Sequence, residues 1–355
     1  MRQVISSFLS EKIKVISFIS IILVLYIHSG FHNTPNEIQG MSINITLQDI
    51  ISGGLGRCAV PLFYMISGFL FFQHTENGIS SIINKIKKRV NTLIVPYLIG
   101  CLFFPLMLII IECIPGSERF MNSTFMQNLN LPLPEILYSA FYKTAGGNSP
   151  WAFQLWFLRD LIILILFSPI LYWARKYIRT VFIIIIFLLT YYKPIISIIP
   201  IVPCFWFMFG DIIITHLNKL KSITALCGVF FLCGITLQII YPNNLLLLYL
   251  NIFITILGII SFWNCYDYLI KNTFSLEKHS VLNLMTNFTF FIYLFHEPTL
   301  NIVRKIIVAI IGKNSIGFAI SYLLSPWIFI VLAVAIGLLL KKRCNKVYSF
   351  LVGGR

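Results

Sequence analysis

Apolar runs of about 20 residues recur from one end of this 355-residue chain to the other, at about 15–31, 50–72, 91–112, 152–173, 180–193, 199–216, 222–241, 245–264, 281–299 and 316–340. In hydrocarbon no water satisfies backbone N–H and C=O groups, so a run of this kind is stable there as a helix whose hydrogen bonds are all internal. At about 1.5 Å per residue, 20 residues cross the roughly 30 Å hydrocarbon core of a bilayer. Ten such helices with short connections account for nearly the whole sequence. Only 11% of the residues are charged, against about 25% in an ordinary soluble domain, which excludes a soluble globular fold. The chain therefore reads as an all-α polytopic membrane protein of about ten transmembrane helices. We expect a single integral-membrane domain over 1–355 with no appended soluble domain, since only about fifteen residues, five of them basic, follow the last run.

Lys and Arg number 27 against 12 Asp and Glu, a net charge of +15. Ten crossings put both termini on one side. On that side fall Arg2, Lys12 and Lys14, the cluster Lys85, Lys87, Lys88 and Arg89, and further groups at 175–179, 219–221, 271–278 and 341–355, nineteen cations in all. Arg119, Lys143, Lys193, Arg304, Lys305 and Lys313 make six on the other side, while Arg57 and Arg159 lie inside runs. By the positive-inside rule both termini are cytoplasmic. This placement uses up the positive excess without an acidic partner, so no nucleic acid is expected. The first run lacks a small-x-small cleavage pattern and reads as a retained helix. The cysteines show no C-x-x-C spacing, so neither a disulfide framework nor a zinc site is expected. The longest connection, about Cys113 to Pro150, lies on the outer face and is long enough for a lid or a re-entrant piece.

Ionisable side chains inside a span are costly and mark function by default. They are His28, Arg57, Arg159, Asp160, Asp211, His296 and Glu297. Counting about 1.5 Å per residue from the helix starts puts His28 about 20 Å and His296 about 22 Å from the cytoplasm, and Arg57 and Arg159 about 10 Å in from the outer face. All four converge on the outer third of the membrane, so they are expected to line one polar cavity. Asp160 points about 100° away from Arg159 around a helix and is not its automatic partner. Asp211 after Gly210 reads as a packing feature. No nucleophile elbow, metal motif or phosphate-binding Gly loop is present. His28 and His32 are four apart, but no third ligand accompanies them, and no metal is expected. A histidine flanked by arginines suits general-base work on a hydroxyl. Arg57 and Arg159 read alternatively as clamps between helices, and His296 as the end of a helix stopped by Pro298.

Five segments carry a resemblance to a known family. They are Val24-Leu-Tyr-Ile-His28-Ser29, Gly53-Gly-Leu-Gly-Arg57 through Pro61-Leu-Phe63 to Ser67-Gly68-Phe69, the basic run leading into Pro96-Tyr97, Leu155-Trp156-Phe157-Leu158-Arg159, and Phe291-Ile292-Tyr293-Leu294-Phe295-His296-Glu297-Pro298. In this order they resemble the acyltransferase type 3 family, bacterial membrane enzymes that O-acylate cell-envelope glycans. The resemblance implies ten spans, His28 as the essential catalytic residue, cytoplasmic acyl-CoA (usually acetyl-CoA) as donor substrate, and an outer-face glycan or lipid-linked glycan as acceptor. Many members carry Arg or Lys eleven residues before the histidine. This chain has Ser17 there, with Lys14 nearly one turn earlier as the available cation.

On this reading the catalytic group is His28, Arg57, Arg159 and His296. Lys14, Lys85, Lys88 and Arg89 would meet the CoA phosphates, although any cytoplasmic loop of such a protein is basic. The rival class is a transporter or exporter of a glycan-related substrate without covalent chemistry. It would often show two similar halves, and no repeat of the His28 or Arg57 segment occurs later. A third class, an assembly factor for a glycan synthase, would tolerate loss of His28.

Overall fold

The computed structural model describes residues 6–30, 46–73, 75, 78–117, 125–144, 147–191, 200–270 and 275–354. Of the residues singled out above, Arg2, His32, Arg119, Lys193, Lys271 and Arg355 lie outside them. No strand occurs among the described residues. In chain order the helices are α1 (Ser7–Ser29), α2 (Ala59–Phe72), α3 (Ile79–Arg89), α4 (Val95–Glu112), α5 (Leu133–Phe141), α6 (Trp156–Leu166), α7 (Ser168–Tyr177), α8 (Arg179–Tyr191) and α9 (Ile201–Ile213). Then come α10 (Thr224–Ile240), α11 (Leu245–Tyr249), α12 (Asn251–Leu269), α13 (Ser280–Asn287), α14 (Thr289–Phe295), α15 (Thr299–Ile311), α16 (Ser315–Arg343) and α17 (Asn345–Leu351).

Each of the ten apolar runs is mainly helical where described, but many are not single straight rods. Among the described residues five helices are long and apolar enough to cross a membrane: 46–72, 79–112, 217–240, 251–269 and 315–343. The run at 152–173 is a pair bent by 63° and makes a sixth if it crosses as one span. The bend falls at Phe167, just before Ser168-Pro169, where proline withdraws an N–H from the helical ladder. The runs at 180–193 and 199–216 yield helices of 13 residues each, and that at 281–299 is divided between α13 and α14. Residues 245–264 behave unlike the expected single run, with a one-turn α11 capped by Asn244 preceding the longer α12. A further helix, α15, follows Pro298 where the sequence suggested only a connection.

The chain forms two compact units, one of residues 1–83 and 166–289, the other of 84–165 and 290–355. In the first, α1 packs on α2, α2 on α9, and α10 on α12. The α2–α9 contact is set by glycine. A Cβ at Gly68 would lie 1.9 Å from the Phe207 carbonyl oxygen, and one at Gly210 would lie 2.2 Å from that of Met65. Membrane helices lack a hydrophobic drive toward one another, so such close backbone approach supplies the packing that holds them. In the second unit α15 packs on α16 and α17 on α4, and Gly100 of α4 lies against Leu155 and Leu294.

Candidate active site

In the first unit α1 brings His28 to its last turn, half-buried. The preceding residue fixes what lies beside it. Gly56 approaches so closely that a Cβ there would stand 2.9 Å from the Ile27 side chain. Ser52 Oγ donates to the Tyr26 carbonyl at 2.9 Å. The stretch 49–58 is wound as a π turn and then a 3-10 turn, an irregularity of the kind that concentrates at functional sites. Arg57 is thereby carried on the segment that packs against the His28 end of α1. Its guanidinium donates to the Gly53 carbonyl, to Gln238 Oε1 and, at 2.9 Å, to Asn251 Oδ1. All three acceptors are neutral, so the arginine is oriented by its fork without a carboxylate in that hydrogen-bond set. Gln238 is itself held by donation to the Leu247 carbonyl at 2.9 Å.

The same unit contains an ionic cluster that the sequence reading missed. Lys12, counted there with the cytoplasmic cations, is only 1% exposed. Its Nζ lies 2.8 Å from Asp267 Oδ1, 3.4 Å from Asn218 Oδ1 and 4.5 Å above the Trp263 ring. Lys221 meets the second Asp267 oxygen at 3.0 Å. By hydropathy this run ends at about 264, whereas α12 continues to Leu269 and carries Asp267. The signal was present in Trp263, Tyr266 and Asp267, spaced to share one helix face. Asp211, read as packing, pairs with Arg175 at 2.6 Å.

Arg159 and His296 belong to the second unit. Contrary to the angular argument, Asp160 is the partner of Arg159. Nη2 and Nε donate to Asp160 Oδ1 at 2.7 and 2.9 Å, because an arginine side chain is long enough to curl over the 100° step. The other terminal nitrogen donates to the carbonyls of Tyr142 at 2.8 Å and Asn148 at 2.7 Å. Arg159 thus clamps the 113–150 connection to α6. His296 is fully buried, with Nδ1 2.7 Å from the Tyr293 carbonyl. A carbonyl only accepts, so Nδ1 carries the proton, and in the neutral ring Nε2 is the basic nitrogen. Gln154 ties this turn to the start of α6, donating to the Glu297 carbonyl at 3.3 Å and accepting from Tyr293 at 3.1 Å.

One cavity of about 640 Å³ lies beside that turn, walled by Leu108, Ile111, Ile302 and Ile306 with Glu297 and Lys305, and it shares Phe104, Phe125, Asn128 and Phe153 with another of about 890 Å³ walled by Leu131, Glu135, Tyr138, Ser139, Thr144 and Trp151. Glu112 organises their shared rim by accepting the Phe125 and Met126 backbone N–H groups, the latter at 3.0 Å.

The basic cluster sits on α3. Lys85, Lys88 and Arg89 are three and four apart and so share one face; Lys88 is exposed and the other two half-exposed. These cations cap no helix end, because α3 continues through a π turn into α4. Lys14 is exposed on α1.

Residues 11–341, which carry all of these groups, match the family described as Acyl_transf_3, acyltransferase domain. The chain belongs to this acyltransferase family. With its apolar helices, that makes it a multi-pass membrane acyltransferase. No curated protein and no solved structure matches it.

Proposed function

We propose that this acyltransferase moves an acyl group, in the first instance acetyl, from cytoplasmic acyl-CoA to a hydroxyl of an extracytoplasmic glycan. The observation that carries the reading is a histidine at the last turn of a 23-residue helix, packed beside a segment that holds an arginine by neutral acceptors only, within a chain matched to the family over 11–341. His28 takes the proton of the acceptor hydroxyl as its oxygen attacks the thioester carbonyl. The C–O bond forms, the C–S bond breaks, and CoA leaves as thiolate and recovers the proton from His28. Arg57 faces the negative charge that develops on the carbonyl oxygen. CoA phosphates rest on Lys85, Lys88 and Arg89, with Lys14 as a further donor-side cation. Ten crossings with cytoplasmic termini complete the reading; its support is the cation bias and the helical state of all ten runs.

The test is mass spectrometry of surface glycans from cells with and without the protein. One acyl group per modified residue should disappear on deletion and in His28→Ala at equal protein abundance. In purified membranes the same variant should lower transfer from acetyl-CoA by about 10²–10⁴. Wild-type transfer in His28→Ala would assign the histidine to structure.

A further inference from the structure

In the first unit α1 and α12 run antiparallel and are joined at both ends. At one end Lys12 of α1 meets Asp267 of α12 at 2.8 Å, with both side chains buried, and the rings of Phe8 and Tyr266 pack beside them. At the other end residues 55–58 are wedged between the same two helices. Gly56 lies against Ile27 of α1, and Cys58 fills the space left by Gly258 of α12, where a Cβ would fall 2.7 Å from the sulfur. Arg57, between them in sequence, donates to Asn251 at the start of α12. The spacings along the two helices agree. Sixteen residues separate Lys12 from His28, and sixteen separate Asn251 from Asp267. At about 1.5 Å per residue each distance is about 24 Å, so joining Lys12 to Asp267 brings His28 level with the residue that holds Arg57.

We infer that Lys12 and Asp267 are positioning residues, whose pairing sets the register of α1 against α12 and with it the height of His28 relative to Arg57. Apolar faces alone do not fix this register. Aliphatic side chains pack comparably after a slip of one turn, about 5.4 Å, whereas the same slip would strand two charges in a buried interface. Fixing register is the best-attested use of such buried polar groups. The pair is itself anchored: Asn218 lies 3.4 Å from Lys12, and Lys221 lies 3.0 Å from the second oxygen of Asp267, both on the 3-10 stretch 217–223. Neither helix contains proline, so a displacement at one end is carried to the other. A misplacement of about 1 Å can cost a reaction about 10²-fold. The catalytic consequence rests on the roles proposed for His28 and Arg57; the register does not.

Native cysteines report the register independently of catalysis. Cys58 sits in the wedge and Cys204 on α9, each 1% exposed. Both should resist N-ethylmaleimide in wild-type membranes, as read by peptide mass spectrometry. In Asp267→Asn, Cys58 should react about tenfold faster through local opening while Cys204 keeps its wild-type rate. The kcat for acetyl transfer should fall by about 10–100-fold with the acetyl-CoA KM unchanged. Lys12→Met combined with Asp267→Asn removes both buried charges and serves where the single variant folds poorly. It should regain part of the melting temperature but neither kcat nor protection of Cys58, a separation that a merely stabilising pair would not produce. Recovery of kcat together with the melting temperature would overturn the inference, as would equal exposure of Cys58 and Cys204 in the double variant. Protected Cys58 and wild-type kcat in both variants would also overturn it, while an inactive His28→Ala would leave the acyl-transfer reading standing. Exposed Cys58 in Asp267→Asn beside wild-type transfer in His28→Ala would do the opposite, keeping the register and removing the catalytic assignment.

Discussion

Arg57 and Lys12 are both cations in helical segments, yet their surroundings assign them different work. Arg57 donates to a carbonyl and two amide oxygens, so no carboxylate takes up its hydrogen-bonding fork. Arg57→Lys keeps the charge but loses the fork, and Arg57→Gln loses both. We expect kcat for acyl transfer to fall in the order wild type, Lys, Gln, the last by about 10²–10³, with the acyl-CoA KM nearly unchanged. Steady-state kinetics would show it, and a pure KM effect would make Arg57 a binding group. Lys12 instead spends its charge on Asp267 and the Trp263 ring. Lys12→Met should cost about 1–3 kcal/mol of stability, less than the loss of an isolated buried pair because Lys221 also serves Asp267. Adding Asp267→Asn should recover part of it. Thermal melts followed by tryptophan fluorescence would measure both, and an unchanged melt in the single variant would remove the cluster from the account of stability.

At the scale of elements, the α2–α9 pair depends on two glycines whose missing Cβ atoms make room for the partner backbone. Gly68→Ala and Gly210→Ala must push the helices apart, since the groups in the way are main-chain atoms that cannot rotate aside. We expect each to destabilise the fold by about 3 kcal/mol, the upper end of overpacking costs. Gly53→Ala, with nothing within 4 Å of its added carbon, is the control. Equal melting temperatures for all three would mean that the contact is not tight in solution. In the sequence Gly68 stands only within a segment of the family resemblance and Gly210 only beside Asp211, and neither position signals a close backbone contact. Only the facing backbone explains them.

For the whole molecule the open quantity is the sidedness of its helices, and the chain carries its own reporters. Cys113 ends α4 and Cys344 follows α16, and both are exposed. In variants that keep one of them, an impermeant maleimide should label Cys113 on intact cells and Cys344 only after permeabilisation. The reverse pattern would reject cytoplasmic termini, and labelling of both from outside would reject the ten-crossing count.

Apolar run length by itself determined that the chain is helical and membrane-bound, because the cost of an unsatisfied peptide group in hydrocarbon leaves no other local structure. It also marked where helix is found but not how many helices cross, and the residues that carry the family resemblance pointed to the family that the match over 11–341 shows. What hydropathy does not encode is where a helix breaks or what a long side chain reaches. The bend at Phe167, the division between α13 and α14, and the pairing of Arg159 with Asp160 depend on local backbone geometry and side-chain reach. Lys12 and Asp267 are 255 residues apart in sequence. The face shared by Trp263, Tyr266 and Asp267 is readable in one segment, but its pairing with Lys12, like the joint walls of the two cavities, came into being only when distant helices packed, since Coulomb attraction and enclosure act through space.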